Sequence, residues 1–114
     1  MHKLKSSPSY SQKGLKGYKF PLNDKKLEIY FVDIKKGHDT YIISKKITHT
    51  YFILKGNGLF DVNGRKIKVK SGTLIEILPK TEYTYSGRMK VLLIMEPPWF
   101  KGNDKITKKN PLID

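Results

Sequence analysis

The 114-residue sequence contains no cysteine, few acidic residues and no long apolar run, and each absence excludes a class of protein. Without cysteine there can be no disulfide framework and no thiolate metal site, so a reducing cytoplasm is the expected location. No apolar run approaches the roughly 18 residues of a membrane-spanning segment, and the first five residues lack the apolar core of a signal peptide. We therefore expect a single cytoplasmic domain, which at this length can bury its own core.

Acidic residues are scarce, because 10 Asp and Glu stand against 23 Lys and Arg, and the formal net charge is +13. More than half of that charge lies in residues 1–22 and 101–114, which contribute +5 and +2. Only Arg65 and Arg88 are arginines, and arginine supplies the bidentate fork that recognises phosphate and guanine. We expect the lysines to form a solvated surface, with no specific nucleic-acid partner and no membrane partner.

Helical periodicity is also missing, and the apolar residues occur instead in short alternating runs. The β-branched and aromatic run 48–54 stops at glycines 56 and 58, which predicts a strand followed by a turn. Asn63-Gly64 is typical of a two-residue type I′ hairpin between strands 59–62 and 65–69. Further strands are predicted at 27–34, 39–43, 73–78, 81–85 and 90–96, with a turn at Ser86-Gly87. Strands at such regular spacing predict an all-β sandwich or barrel.

The ends of the chain differ from its centre in composition. Residues 1–19 are rich in Lys, Ser, Gly and Tyr, and we expect a flexible basic arm there, with a short strand near 15–20 as an alternative. Residues 20–100 are predicted to form the barrel. Residues 101–114 are expected to be a basic tail.

Two blocks framed by glycines lie in the centre of the chain. Gly37 and Gly56 have the spacing of the glycines in the first conserved motif of the cupin family, and Gly72 and Gly87 frame a second block that fits the second motif. The sequence therefore resembles a small single-domain cupin. The resemblance implies a double-stranded β-helix, which is a barrel of the jelly-roll class.

Similar proteins hold a divalent metal with two His, a Glu and a further His, a borderline ligand set that leaves positions open for substrate. The matching positions here are Ile43, Lys45, His49 and Tyr83. Ile43 offers no ligand atom, Lys45 is a cation, and tyrosine binds metal rarely. We therefore expect no metal at these degenerate positions, and no other cofactor.

The resemblance also implies that side chains at these positions point into the barrel. Since strand residues alternate, the same inward faces should supply a ligand cavity. The expected lining is Tyr41, Lys45, His49, Tyr51, Tyr83 and Tyr85. His2 and His38 lack a partner at motif spacing and are predicted at the surface, and Trp99-Phe100 should close the barrel mouth or pack in a homodimer.

Three functions fit these residues. The first is a metal-independent cupin that binds a small polar or anionic metabolite, such as a sugar derivative. The second is a metal-free isomerase or epimerase with His49 as base and Tyr83 as acid, which requires a cavity between the two side chains. The third is a non-catalytic interaction module with a solidly packed barrel. The residues leave open whether the protein is an enzyme.

Overall fold

The computed structural model describes residues 3–113, so His2 lies outside the described residues. The protein is all-β, as predicted, and every strand pairing is antiparallel. The strands are β1 (Tyr10–Gln12), β2 (Leu15–Lys19), β3 (Glu28–Ile34), β4 (Thr40–Ser44), β5 (Thr48–Val62), β6 (Arg65–Lys70), β7 (Leu74–Ile77), β8 (Glu82–Glu96) and β9 (Asp104–Lys109). Neighbouring strands follow the order β1-β2-β3-β8-β4-β9, and β5 pairs with β6, β7 and β8, so that the sheet curls. No helix in residues 3–113 is long and apolar enough to cross a membrane.

The two longest strands, β5 and β8, have 15 residues each and pair along nearly their whole length. The turns predicted at 55–58 and at Ser86-Gly87 are wrong, because both strands continue through these positions. Gly56 and Gly87 adopt φ values of 87° and 121°, which L side chains rarely adopt. Gly58 pairs with Gly87, and a Cβ on Gly87 would lie 2.6 Å from the Gly58 Cα atom. The glycines therefore bend the paired strands and do not end them.

The Asn63-Gly64 hairpin is confirmed. Val62 pairs with Arg65 across the turn, and both central residues have positive φ, 51° at Asn63 and 83° at Gly64. Positive φ at both positions is what a type I′ turn requires. The turn fixes the register of β5 against β6.

The core lies on the inner face of the curled sheet, where strand residues alternate between buried and more exposed. In β3, Tyr30, Val32 and Ile34 are buried while the residues between them are only half-buried. Phe60 of β5 and Val91 of β8 are fully buried in the same cluster. Each such side chain contributes about 1.5–3 kcal/mol when it leaves water.

Both ends of the described chain form strands: β2 is the short strand predicted near 15–20, whereas β1 and β9 lie where the sequence predicted an arm and a tail. β2 pairs with β3 over five residues, β1 pairs with β2, and β9 pairs with β4. All six residues of β9 are exposed, so its sequence contains no apolar alternation that could predict a strand. These strands bring residues from both ends of the chain to the candidate site.

Candidate functional site

The inner face of the sheet lines a cavity of about 410 Å³, a volume typical of small-molecule sites. Its walls come from β1 to β5 and from β8 and β9, together with the loop before β9. The lining is mostly aromatic and apolar, with two histidines and one carboxylate. The lining residues are Ser9, Tyr10, Gln12, Leu15, Tyr30, His38, Ile42, His49, Tyr51, Tyr83, Tyr85, Leu93, Met95, Trp99 and Asp104.

Four rings form what we call the aromatic row, in the order His38, Tyr85, Tyr51, His49. Successive ring centroids are 5.8, 5.4 and 6.4 Å apart. Tyr85 and Tyr51 meet edge to face, whereas the His49 ring lies nearly parallel to Tyr51, at 14°. Phe60 packs against both tyrosines, with centroid distances of 5.2 and 5.1 Å. The row therefore places one imidazole at each end and phenol rings between them.

Strand alternation explains why these rings share one face. His49 and Tyr51 are two residues apart on β5, and Tyr83 and Tyr85 are two residues apart on β8. All four line the cavity, so the structure brings together four of the six residues predicted to bind ligand. The β5–β8 pairing sets the register of the two strands at these residues.

The tyrosine hydroxyls are neutral hydrogen-bonding groups. The hydroxyl oxygens of Tyr51 and Tyr83 are 2.7 Å apart and share a hydrogen bond. Burial raises the pKa of Tyr51, Tyr83 and Tyr85 well above the usual value. At neutral pH these phenols therefore remain protonated, and each can donate or accept a hydrogen bond.

His38 was predicted at the surface, and that prediction is wrong, because its ring is mostly buried and lines the cavity. Its Nδ1 lies 2.8 Å from the Thr40 carbonyl oxygen, and since a carbonyl only accepts, Nδ1 donates the proton. The Thr40 amide is 3.4 Å from the same atom, a weaker contact. In the neutral ring Nε2 is then the unprotonated nitrogen. No motif position marks His38, so only the three-dimensional structure identifies it.

His49 is buried, with 4% of its surface exposed, and burial lowers its pKa. The Asp104 carboxylate and the Ile47 backbone act in the opposite direction. Its Nδ1 is sealed from solvent and has no partner at hydrogen-bond geometry among the described residues. The centroid of the His49 ring lies 5.9 Å from that of Tyr83, so the predicted acid–base pair is adjacent and borders an open cavity.

The mouth of the cavity is built by Trp99 and the residues before β9. The Trp99 indole N–H donates to Asp104 Oδ2 at 3.1 Å, and Asn103 Nδ2 donates to Asp104 Oδ1 at 2.8 Å. The Trp99 backbone N–H donates to Glu28 Oε1 at 2.8 Å. Trp99 therefore lies at the barrel mouth, which is the first of its two predicted positions. About half of its surface remains exposed.

The N-terminal strands supply a further wall, which the sequence did not predict. Tyr10 of β1 lines the cavity and meets Tyr30 edge to face, with ring centroids 5.5 Å apart. Its ring lies directly over Gly17 of β2, where any Cβ would overlap the ring. Gly17 therefore leaves the space that Tyr10 occupies.

Two predicted site residues, Tyr41 and Lys45, do not line the cavity. The cavity-facing residue of β4 is Ile42, and Lys45 follows the strand end at Ser44 and is exposed. Tyr41 lies outside the cavity, and its hydroxyl donates to Asp61 Oδ2 at 2.6 Å. The prediction fails by one residue, because glycine spacing alone does not determine which face of a strand a residue occupies.

The donors in the cavity do not fit a cupin metal centre. Residues 3–113 contain no group of three or more His or acidic side chains that could hold a metal ion. Both oxygens of Asp104 already accept hydrogen bonds, and Nδ1 of His38 is bound to Thr40. Among the described residues, the lining contains no Lys or Arg, so these side chains supply no fixed positive charge for an anionic ligand.

No protein-family model and no curated protein matches this sequence. Solved structures do match: the Streptomyces nucleoside dehydratase Pac13 has a TM-score of 0.84 at 18% identity, over 97% of this chain and 88% of Pac13. Ectoine synthase from P. lautus has a TM-score of 0.70 at 15% identity, over 89% and 81% of the two chains. KdgF from Halomonas sp. has a TM-score of 0.68 at 12% identity, over 84% and 86%. These are cupin-fold proteins, and the protein described here has the fold of a small cupin, as predicted.

Pac13 has been solved with uridine as three single variants, in which one histidine is replaced by glutamine or one of two tyrosines by phenylalanine. With the histidine variant, the TM-score is 0.89 over 98% of this chain. In Pac13 the histidine precedes the first tyrosine by 13 residues, and the second tyrosine follows 34 residues later.

Proposed function

We propose that this protein binds an uncharged nucleoside of the uridine type in the cavity and transfers protons to and from it through His38, Tyr51 and Tyr85. The proposal narrows the expected small polar or anionic metabolite to a neutral one. The cavity lining contains no Lys or Arg and includes the Asp104 carboxylate, so it disfavours a phosphate group.

The observation that supports this proposal is that three residues of the cavity have the same sequence intervals as three residues altered in uridine-bound Pac13. His38, Tyr51 and Tyr85 are separated by 13 and 34 residues, the same intervals as the three residues altered in uridine-bound Pac13. In this chain the three residues are consecutive members of the aromatic row. Since sequence identity is only 18%, a conserved pair of intervals within one cavity favours a shared ligand class.

The geometry is suited to proton transfer linked to loss of water. In a dehydration a C–H bond and a neighbouring C–O bond break, a C=C bond forms, and the proton and hydroxyl leave together as water. The unprotonated Nε2 of His38 can take the proton from carbon and, as the imidazolium, give it to the departing hydroxyl, which leaves as water, while a protonated tyrosine donates a hydrogen bond to the same oxygen. No metal enters these steps, because the donors do not fit one.

The other two sequence-based functions are less well supported. The His49–Tyr83 pair borders the cavity, but neither residue falls on the intervals shared with the residues altered in uridine-bound Pac13, so that observation does not favour it. An interaction module would have a packed interior, whereas this interior is open. The expected homodimer and cytoplasmic location remain predictions.

Calorimetric titration with uridine tests the proposal, with uridine 5′-monophosphate as the charged analogue. We expect uridine to bind and the monophosphate to bind at least about tenfold more weakly. His38→Gln and Tyr85→Phe should each weaken uridine binding by about tenfold. Tyr18→Phe is the matched control, because Tyr18 packs against Phe31 away from the cavity. Absence of uridine binding, or equal losses in the control, would overturn the proposal.

A further inference from the structure

His49 is the polar group of the cavity that the proposed proton transfer does not use. It lies at the end of the aromatic row opposite His38, and its ring is almost completely buried. Its Nδ1 is buried and has no hydrogen-bond partner within residues 3–113. A buried imidazole without partners costs free energy, because its polar atoms have lost water and gained nothing in exchange.

The surroundings of His49 determine which nitrogen a ligand can reach. Nδ1 is sealed from solvent, while the ring itself lines the cavity, so Nε2 is the accessible atom. The Ile47 backbone favours a proton on the ring, and in the Nδ1–H tautomer the buried nitrogen carries that proton. In the neutral ring Nε2 is then a hydrogen-bond acceptor.

The walls beside His49 are flat and apolar. The Tyr51 ring is nearly parallel to the imidazole, the Tyr83 ring is tilted against it, and Met95 pairs with His49 across β5 and β8. Leu93 and Met95 both line the cavity here. A planar ring with a polar edge fits such a space, because its faces contact apolar surface while its edge meets one acceptor.

We infer that His49 determines ligand specificity by accepting, at Nε2, a hydrogen bond from a ring N–H of the bound ligand. The inference rests on the proposed function, and for a uracil nucleoside the donor is the imide N–H. The base would then lie at the His49 end of the cavity and the sugar toward His38. His49 is on this account a recognition residue that takes no part in the proton transfer.

The test compares uridine with 3-methyluridine, which lacks the imide proton, first on the unmodified protein. We expect at least tenfold weaker binding of 3-methyluridine, since the methyl group removes the donor and leaves Nε2 without a partner. In His49→Phe the preference for uridine over 3-methyluridine should disappear, because the hydrogen-bond acceptor is gone. His49→Gln can place an amide oxygen at the position that Nε2 has in the unmodified protein, and it should therefore restore part of the preference for uridine.

The outcomes separate the two proposals. If the unmodified protein binds uridine and 3-methyluridine equally well, the inference about His49 is overturned while the proposed function stands. If the preference persists in a folded His49→Phe protein, the N–H is recognised elsewhere and the inference is again overturned. If uridine does not bind at all, both fail. A His49→Phe variant that does not fold leaves the comparison on the unmodified protein to decide.

Discussion

Two buried polar clusters lie on opposite faces of the curled sheet and differ in how their hydrogen bonds are used. In the outer pair, the Tyr41 hydroxyl donates to Asp61 Oδ2 at 2.6 Å and the Lys108 ammonium lies 4.5 Å from the centroid of the Tyr41 ring. In the cavity, Nδ1 of His49 has no hydrogen-bond partner among the described residues, and His38 bonds to Thr40 through Nδ1. In the outer pair, Tyr41 bonds to Asp61 Oδ2, although Asp61 Oδ1 has no partner within residues 3–113. We propose that the cavity histidines, unlike the outer pair, bond to a ligand.

The largest expected effect is on stability, from Tyr41→Phe in the outer pair. Asp61 Oδ1 is buried without a partner, so loss of the Tyr41 hydroxyl leaves the whole carboxylate uncompensated. We expect the free energy of unfolding to fall by about 3 kcal/mol, with uridine binding unchanged. Urea denaturation measures the change, and Tyr18→Phe is the control. A loss below about 1 kcal/mol would show that the outer pair is not a stabilising contact.

Tyr85→Phe in the cavity should have the opposite effects: it should weaken uridine binding and leave stability nearly unchanged. Tyr85 belongs to the aromatic row, and its hydroxyl is expected to contact the ligand, so uridine affinity should fall by about tenfold. The free energy of unfolding should change by less than about 1 kcal/mol, because the ring remains packed against Phe60. Denaturation and calorimetry on the same protein sample check both parts. Loss of stability equal to that of Tyr41→Phe would remove the distinction between the two clusters.

Gly17→Ala should have a smaller effect and should alter the cavity wall. The new methyl group would occupy the position of the Tyr10 ring, which must move away from Gly17. We expect a loss of about 1 kcal/mol, since lost Tyr10 burial is partly offset by the lower entropy of the unfolded alanine chain. A thermodynamic cycle with Tyr10→Ala tests the mechanism. In that background Gly17→Ala should cost nothing, and an undiminished cost would mean that Tyr10 is not the cause.

The last expected effect is the pH dependence that His49 gives to the free energy of unfolding. Burial lowers its folded-state pKa, so as the pH falls below about 6.5 the unfolded chain takes up the proton first, and stability decreases. Above that pH the contribution is constant. The facing groups are Asp104, His38, Tyr51 and Tyr83, and the tyrosines stay neutral in this range. Between pH 7 and 5, the unmodified protein should therefore lose more stability than His49→Gln, by at most about 1.4 kcal/mol per pH unit. Equal slopes would contradict a neutral His49.

Sequence reasoning succeeded where a local signal fixes the register. The Asn63-Gly64 turn and the run from Thr48 define β5, so the inward direction of His49 and Tyr51 could be predicted. In β4 only the distance from Gly37 was available, and that distance does not determine which face Tyr41 occupies. The turns predicted at 55–58 and at Ser86-Gly87 do not end a strand. They were predicted wrongly because a glycine that closes a hairpin and one that bends a long strand look alike in sequence.

The site residues that the sequence did not predict lie in segments without an apolar pattern. His38 follows a glycine in a loop, and Asp104 starts a fully exposed strand, so composition gives no reason to place either in a cavity. Tyr10 lies in a lysine-rich segment that only pairing with β2 orders. These residues come together through long-range strand pairing, which no local pattern in the sequence predicts.

The most direct test of the central claim is a long-range ¹H–¹⁵N spectrum of the histidine ring nitrogens, recorded with and without saturating uridine. We expect the Nε2 resonances of His38 and His49 both to shift, while the backbone amide resonances of Tyr41 and Asp61, recorded in a one-bond ¹H–¹⁵N spectrum of the same sample, stay in place. Unchanged His38 and His49 resonances, with uridine at saturating concentration, would contradict a nucleoside site in this cavity.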